Sequence, residues 1–274
     1  MKNFKISTLL GKIFIVIMAI ITLFPFVYMV LSSLMSFTEA TSIPPTMFPE
    51  KPLFSNYAEA MTKAPFARYF INTIFTAVST TVLILITSVL SAFALVQLNF
   101  KGKNVVTMIM AAMLMVPYEI TVFTNFQTIA KLGLLDTYWA LIIPHVASIF
   151  YIFYLKGYLT SIPSSYYKAA KVDGCSNFEF ITRILVPMTK PALFTMGILN
   201  FISGWNSFLW PILVTNSKNM RLISNGLSAF TSESGTAVHL QMAASTITIL
   251  PILILYLVFR KQIMRGVGQS GIKG

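Results

Sequence analysis

The residues able to do chemistry in this chain are few, and they do not assemble into a catalytic set. It has two histidines, His145 and His239, and one cysteine, Cys175, none of them at metal-ligand spacing from another ligand. A lone histidine in an apolar segment serves more often as a packing or interhelical hydrogen-bond residue than as a ligand. One cysteine excludes an internal disulfide and a CxxC pair. No GxxxxGK[ST] phosphate loop occurs, so the chain has no ATP site of that type. A non-catalytic chain without metal or cofactor of its own is expected. Glu119, in VPYEITVF, is the one acid expected inside an apolar segment. Reaching water at the segment's outer end and lining a solute path are equally good readings of it.

Uncharged polar residues are more informative. Asn200, Ser203 and Asn206 or Ser207 recur at helical spacing beside Trp205, and Gln241, Ser245 and Thr248 do the same further on. Amides and hydroxyls in apolar helices need partners or water, so such stripes face another helix or an aqueous path. Amides, hydroxyls and an indole ring would suit a neutral, polyhydroxylated ligand.

The longest polar interruption between the apolar segments of the second half runs from Pro163 to Pro191 and holds Lys168, Lys171, Asp173, Glu179, Arg183 and Lys190. Its grammar predicts two short helices joined by a tight turn over 163–187. Pro163 suits a first helical turn, and Gly174 suits a stop that needs the left-handed region. Ser176 and Glu179 have capping-box spacing, and Pro187 is expected to end the second helix. The adjacent alanines Ala169 and Ala170 would let another domain approach closely, as on a docking ridge. The bland reading is a basic loop in which Glu179 only caps its helix.

The elements that must position these residues are apolar helices. The chain is 56% hydrophobic and 10% charged with mean hydropathy +0.76, far from the roughly 25% charge of soluble domains. Six spans are predicted, at about 13–34, 70–96, 104–124, 137–157, 189–214 and 240–259, in one domain covering 1–274. The first run is longer than a signal-peptide core and is kept as a span. With the N-terminus inside, fourteen basic residues (Lys2, 5, 12, 101, 103, 156, 168, 171, 190, 261 and 273 with Arg183, 260 and 265) face the cytoplasm and six face outward. Of the acids, five (Glu39, Glu50, Glu59, Asp136, Glu233) fall outside and two, Asp173 and Glu179, inside. This asymmetry predicts both termini and the 163–187 hairpin inside. It also accounts for the net charge of +12 without nucleic acid, since the basic residues never form one stripe.

The hairpin resembles the cytoplasmic signature of the membrane subunits of binding-protein-dependent ABC importers: EAA, three residues, Gly, nine residues, I-x-L-P. Lys168-Ala169-Ala170, Gly174 and Ile184-Leu185-Val186-Pro187 keep that spacing, with lysine in place of the glutamate and Val186 in place of the leucine. Ile162-Pro163, Val172-Asp173-Gly174, the loop LNFKGKN, LGLLDTYWALIIPH at 132–145, Trp205-Asn206 with Pro211, and Lys273-Gly274 resemble the sugar-importer branch, of the maltose "G" permease type. The resemblance implies an all-α type I permease fold, N-in and C-in, in a prokaryotic cell membrane. It also implies a second permease, a pair of ATPase subunits that bind ATP and magnesium, an extracellular solute-binding protein, and a sugar substrate. It gives Lys168, Ala169, Ala170, Asp173 and Gly174 the docking role, with Lys168 meeting an ATPase of altered charge. Glu119, Asn200, Ser203, Trp205, Asn206, Gln241 and Ser245 are the candidates along the solute path. A permease for another solute and a stand-alone secondary carrier are the competing readings.

Overall fold

A computed structural model describes residues 6–232 and 235–268. Lys2, Lys5, Glu233 and the Lys273-Gly274 ending lie outside the described residues. The fold is helical apart from one two-stranded ladder, and the chain divides into two compact units, 1–66 with 226–254 and 67–225 with 255–274.

In the first unit, α1 (Ile6–Ser33) is apolar on all sides, and its span window has no buried residue. Lacking a water-facing stripe, it is built for a wholly apolar surround. Short helices α2 (Phe37–Ala40) and α3 (Ser55–Lys63) follow. Ser36 and Glu39 form a capping box on α2, and Glu39 also accepts the Glu50 amide at 2.7 Å. The buried Asn56 donates to the carbonyls of Ser33 and Met35 at 2.9 and 2.7 Å, tying α3 to the end of α1. The strands β1 (Thr231–Ser232) and β2 (Gly235–Thr236) pair Thr231 with Thr236, ahead of α15 (Val238–Gly268).

The second unit is organised on α4 (Phe66–Gln97), whose 32 residues contain no glycine or proline. Fully 44% of its span window is buried, against none for α1. The helices α5 (Lys103–Met113), α6 (Tyr118–Lys131), α7 (Tyr138–Ile142), α8 (Ile149–Thr160), α9 (Ser165–Val172), α10 (Asn177–Phe180), α11 (Val186–Met188), α12 (Lys190–Trp205) and α13 (Leu209–Val214) follow in order. A short α14 (Ile223–Gly226) comes next in the chain.

Among the described residues three helices, Thr8–Ser33, Phe66–Gln97 and Val238–Ile263, are long and apolar enough to cross a membrane, and three bent pairs bring the possible number to six. The bends correct the expected spans. The run 104–124 is broken: α5 and α6 meet at 100° because Pro117, with extended backbone and no N–H, cannot continue a helix. The run 137–157 bends by 43° through a 3₁₀ turn at Ile143–His145 that contains Pro144. The run 189–214 is two helices, with α12 ending at Trp205 and α13 holding Pro211. Nor does Pro187 end the hairpin's second helix. A π-helical turn at Ile181–Leu185 precedes the proline, and helix continues to Met188 before an 80° kink.

Candidate functional site: a helical hairpin and a polar clamp

The 163–187 stretch is the helix–turn–helix expected of it. Pro163 lies just before the N-cap Ser164, and α9 begins at Ser165. Gly174 has φ +78°, the left-handed value that favours glycine. The Cys175 amide donates to the Ala170 carbonyl at 2.9 Å and the Gly174 amide to the Lys171 carbonyl at 3.2 Å. Those two bonds make a Schellman turn, which satisfies the last carbonyls of α9. A capping box then opens α10: the Ser176 amide donates to Glu179 Oε2 at 2.9 Å and the Glu179 amide to Ser176 Oγ at 3.2 Å. The Ser176 backbone and side-chain hydrogen bonds hold the Glu179 carboxyl below its ordinary pKa, with help from Arg183 at 3.6 Å.

An aromatic cluster keys this rigid hairpin to the rest of its unit. The Tyr167 ring meets Phe180 edge-on at 4.9 Å and Phe93 of α4 at 5.7 Å, and its hydroxyl donates to Asn177 Oδ1 at 2.8 Å. Ala170, Phe180, Ile181 and Leu185 bury with Phe93 of α4, Leu155 and Leu159 of α8 and Met196 of α12 in one core. The sequence reading missed Phe93, Tyr167 and Phe180; aromatics inside a polar hairpin were the available signal.

Burial narrows the expected docking ridge. Ala170 is 6% exposed and belongs to that core, because a helical step of about 100° turns it away from its neighbour. Lys168, Ala169, Asp173 and Gly174 are exposed, joined by Val172 at 88% and Phe178 at 72%. Among the described residues no ion pair or side-chain hydrogen bond engages Lys168 or Asp173, whose amides only continue the helix by donating to the Ser164 and Ala169 carbonyls. Lys171 is occupied, donating to the Cys175 carbonyl at 3.0 Å with its ammonium 5.5 Å from the Tyr167 ring centroid. The outward face is thus cationic and apolar together.

The solute-path candidates fall in different places. Asn200 donates to Thr81 Oγ1 at 3.0 Å, an interhelical bond to α4. Nearby, a Cβ at Gly204 would come within 3.3 Å of Ala77, so α4 and α12 approach closely there. Trp205 is 2% exposed, edge-on to Phe70 at 5.2 Å and tilted against Phe201 at 6.0 Å, an aromatic packing position. Ser203 and Asn206 are exposed, and Glu119 is exposed in the first turn of α6. Gln241 and Ser245 are half-buried on the part of α15 that belongs to the first unit. His145 stands edge-on to Trp210 at 6.0 Å, in an aromatic packing position. Among the described residues no group of three His, Cys, Asp or Glu side chains could hold a metal.

A second polar cluster, not foreseen from the sequence, clamps residues 214–225. The fully buried Asn72 of α4 donates to the carbonyls of Asn219 and Arg221 at 2.7 and 3.0 Å and accepts from the Tyr138 hydroxyl at 2.6 Å. Thr73 Oγ1 accepts the Ile223 amide at 2.8 Å. Asp136, at φ 61°, takes the amides of Asn216 and Ser217 at 2.9 and 3.0 Å. Desolvation raises the Asp136 carboxyl, but the hydrogen bonds from Ser217 and Asn216 outweigh it and leave the pKa below its ordinary value. Within the 215–238 loop, the portion to Asn225 is therefore fixed to its own unit.

Residues 84–269 match the family of binding-protein-dependent transport system inner membrane components, a match that includes the whole hairpin. The chain belongs to that family. Over 275 residues this permease is 30% identical to the arabinooligosaccharides transport system permease protein of Bacillus subtilis (strain 168), covering 99% of this chain and 98% of that one. It is 30% identical over 274 residues to the sn-glycerol-3-phosphate transport system permease protein of Rhizobium meliloti (strain 1021), with 97% of both covered. Its fold is that of a chain in the crystal structure of a bacterial ABC transporter involved in the import of the acidic polysaccharide alginate. The TM-score is 0.83 at 25% identity, with 95% of this permease and 98% of that chain covered. The type I importer permease fold implied by the signature spacing is therefore correct. Permease subunits of ABC transporters are generally non-catalytic, with ATP hydrolysis carried out by partner subunits.

Proposed function

We propose that this permease forms half of the pathway of an ATP-driven carbohydrate importer in a prokaryotic cell membrane, and that residues 163–187 couple it to an ATPase. The reading has one domain of six spans, three of them bent, with both termini and the hairpin in the cytoplasm, as the charge asymmetry favours. A second permease completes the pathway, two ATPase copies power it, and a solute-binding protein delivers sugar. One observation carries the reading: the Schellman turn and capping box hold Lys168, Ala169, Val172, Asp173 and Phe178 outward at the importer signature's spacing.

The mechanism follows from rigidity. Hairpin, α4, α8 and α12 share one core, so a push on the exposed ridge moves the hairpin as a body and tilts the helices it is packed on. Ser203, Asn206 and Glu119 are the exposed polar groups proposed to line the path, with Asn200 and Trp205 fixing the wall behind. Gln241 and Ser245 are proposed to line it from α15. Lys168 is proposed to meet an acidic group of the ATPase, where the signature's glutamate would meet a base.

The test is sugar uptake and sugar-stimulated ATP hydrolysis by the reconstituted importer, with the ridge altered by Ala169→Trp. Loss of both activities, with the permease still assembled in the membrane, is expected; unchanged coupling would refute the docking role. The glycerol-phosphate relative makes a small anionic solute the second reading. Competition of labelled arabinooligosaccharide uptake by sn-glycerol 3-phosphate decides between the two.

A further inference from the structure

A cavity of about 980 Å³ opens in the second unit between α4, α8, α12 and the last turns of α15. Its walls are Val78, Val82 and Leu85 of α4, Phe194 and Phe201 of α12, and Leu255. Lys190 and Gln262, both exposed, mark its polar mouth, and the Tyr154 and Tyr158 rings and the Thr81 and Thr195 side chains also line it. Val78, Val82 and Phe194 are 45%, 48% and 41% exposed, so the cavity opens onto an apolar surface of the chain. This volume sits at the upper end of small-molecule pockets, yet the threonine hydroxyls in its walls are already engaged, Thr81 accepting from Asn200 and Thr195 donating to the Pro191 carbonyl, which leaves the walls mostly apolar.

We propose that this cavity binds an anionic phospholipid, with acyl chain along α4 and α12 and headgroup phosphate on Lys190. Three observations carry the assignment. First, the walls are hydrocarbon-like while the mouth is cationic. Lys190 is exposed at the 80° kink where hairpin gives way to α12, and no described acid pairs with it. Second, the same turn of α15 bears Arg260 and Lys261, both exposed, so the field at the mouth favours a phosphate. Third, two tyrosines share the lining with the lysine, an amphipathic set suited to the boundary between acyl chains and headgroups. A second permease helix seated here would cover the apolar walls but leave the mouth's cation without a counter-charge.

The position gives the lipid a consequence. Lys190 follows Thr189 and Met188 directly, so a phosphate held there braces the joint through which the hairpin would move α12. The inference rests on the cytoplasmic placement of the hairpin proposed above, which puts the mouth at the inner leaflet.

The experiment uses the whole importer in nanodiscs containing photoreactive phosphatidylglycerol or photoreactive phosphatidylcholine. Phosphatidylglycerol is expected to label peptides of α4 and α12, and Lys190→Gln to lower that labelling about fivefold while Lys190→Arg keeps it. Equal labelling by phosphatidylcholine, or labelling indifferent to Lys190→Gln, overturns the proposal. So does a crosslink to the second permease from a photoreactive residue placed at Val82. Sugar-stimulated ATP hydrolysis in the same discs reports the importer reading separately. Lys190→Cys in a Cys175→Ser background, probed with an impermeant thiol reagent from each side, tests the placement independently of lipid.

Discussion

Around residues 214–225 the polar side chains turn inward: Asn72, Thr73 and Asp136 end on backbone groups of that segment, and Asn225 caps it from within by accepting the Leu222 amide at 2.7 Å. Along α9 and α10 the arrangement is reversed. Turn, cap and aromatic cluster consume the local bonding groups, while Lys168, Ala169, Val172, Asp173 and Phe178 are left pointing away from the chain. Buried polar groups with every bond made stabilise a segment and fix its shape. Exposed side chains on a rigid frame add little to the chain's own stability, and their use lies in what they meet. The two regions draw on the same residue types, so burial and bonding separate structural polarity from interaction polarity where composition does not.

This contrast predicts that substitutions in the clamp cost stability and those on the ridge cost coupling. The largest effect is expected at the hairpin turn. A Cβ at Gly174 meets nothing within 4 Å, so the obstacle there is conformational only. Gly174→Val forces a β-branched residue to φ +78° and should abolish sugar-stimulated ATP hydrolysis, whereas Gly174→Asn, which tolerates that region, should retain most of it. Equal loss with both variants would mean that the left-handed turn is not what matters.

Next comes the clamp. Asn72→Leu strands two carbonyls and the Tyr138 hydroxyl in a buried site and should cost about 3 kcal/mol. A clear drop in thermal unfolding temperature of the purified permease checks this, with ATPase binding preserved in the protein that remains folded. A stability unchanged by the substitution would dissolve the contrast.

Charge on the ridge is a smaller effect. Lys168→Glu should leave the unfolding temperature of the permease alone and weaken co-purification of the cognate ATPase severalfold, as expected for one lost ion pair at an interface rim. Stronger co-purification would mean that the ATPase presents a base at that contact.

The smallest effect concerns pH. Asp136 has a folded pKa below its ordinary value, so its contribution is present above that ordinary value and is lost as pH falls through the folded one. Unfolding temperature should hold steady from neutral pH to about pH 5 and decline below about pH 4. Asp136→Asn should flatten the part of that decline due to this group.

Legibility in the sequence followed the range of the interaction. Gly174, Ser176 and Glu179 act within a few residues of themselves, and their turn and cap were readable from spacing alone. The long apolar helices were equally plain, α4 within a few residues of its expected ends. Pro117, Pro144 and Pro187 were visible, yet their effects differed: a 100° break, a 43° bend and a π turn. Those outcomes depend on whether neighbouring backbone can re-form its bonds, which spacing does not reveal. The aromatic key at Phe93 joins residues about eighty positions apart, and the Asn72 clamp joins residues 147 and 149 apart. No local pattern announces either. The burial of Ala170 has a simpler cause: adjacent helical residues point in different directions, so Ala169 and Ala170 do not share one surface.

The central claim is that the outward face of the hairpin meets an ATPase. Val172, 88% exposed beside the Gly174 turn, is the place to ask. A photoreactive benzoylphenylalanine at position 172 of the intact importer should, on irradiation, yield one covalent adduct between permease and ATPase, with a yield that changes on ATP binding. Crosslinks to lipid alone, in an importer that still takes up sugar, would contradict the account.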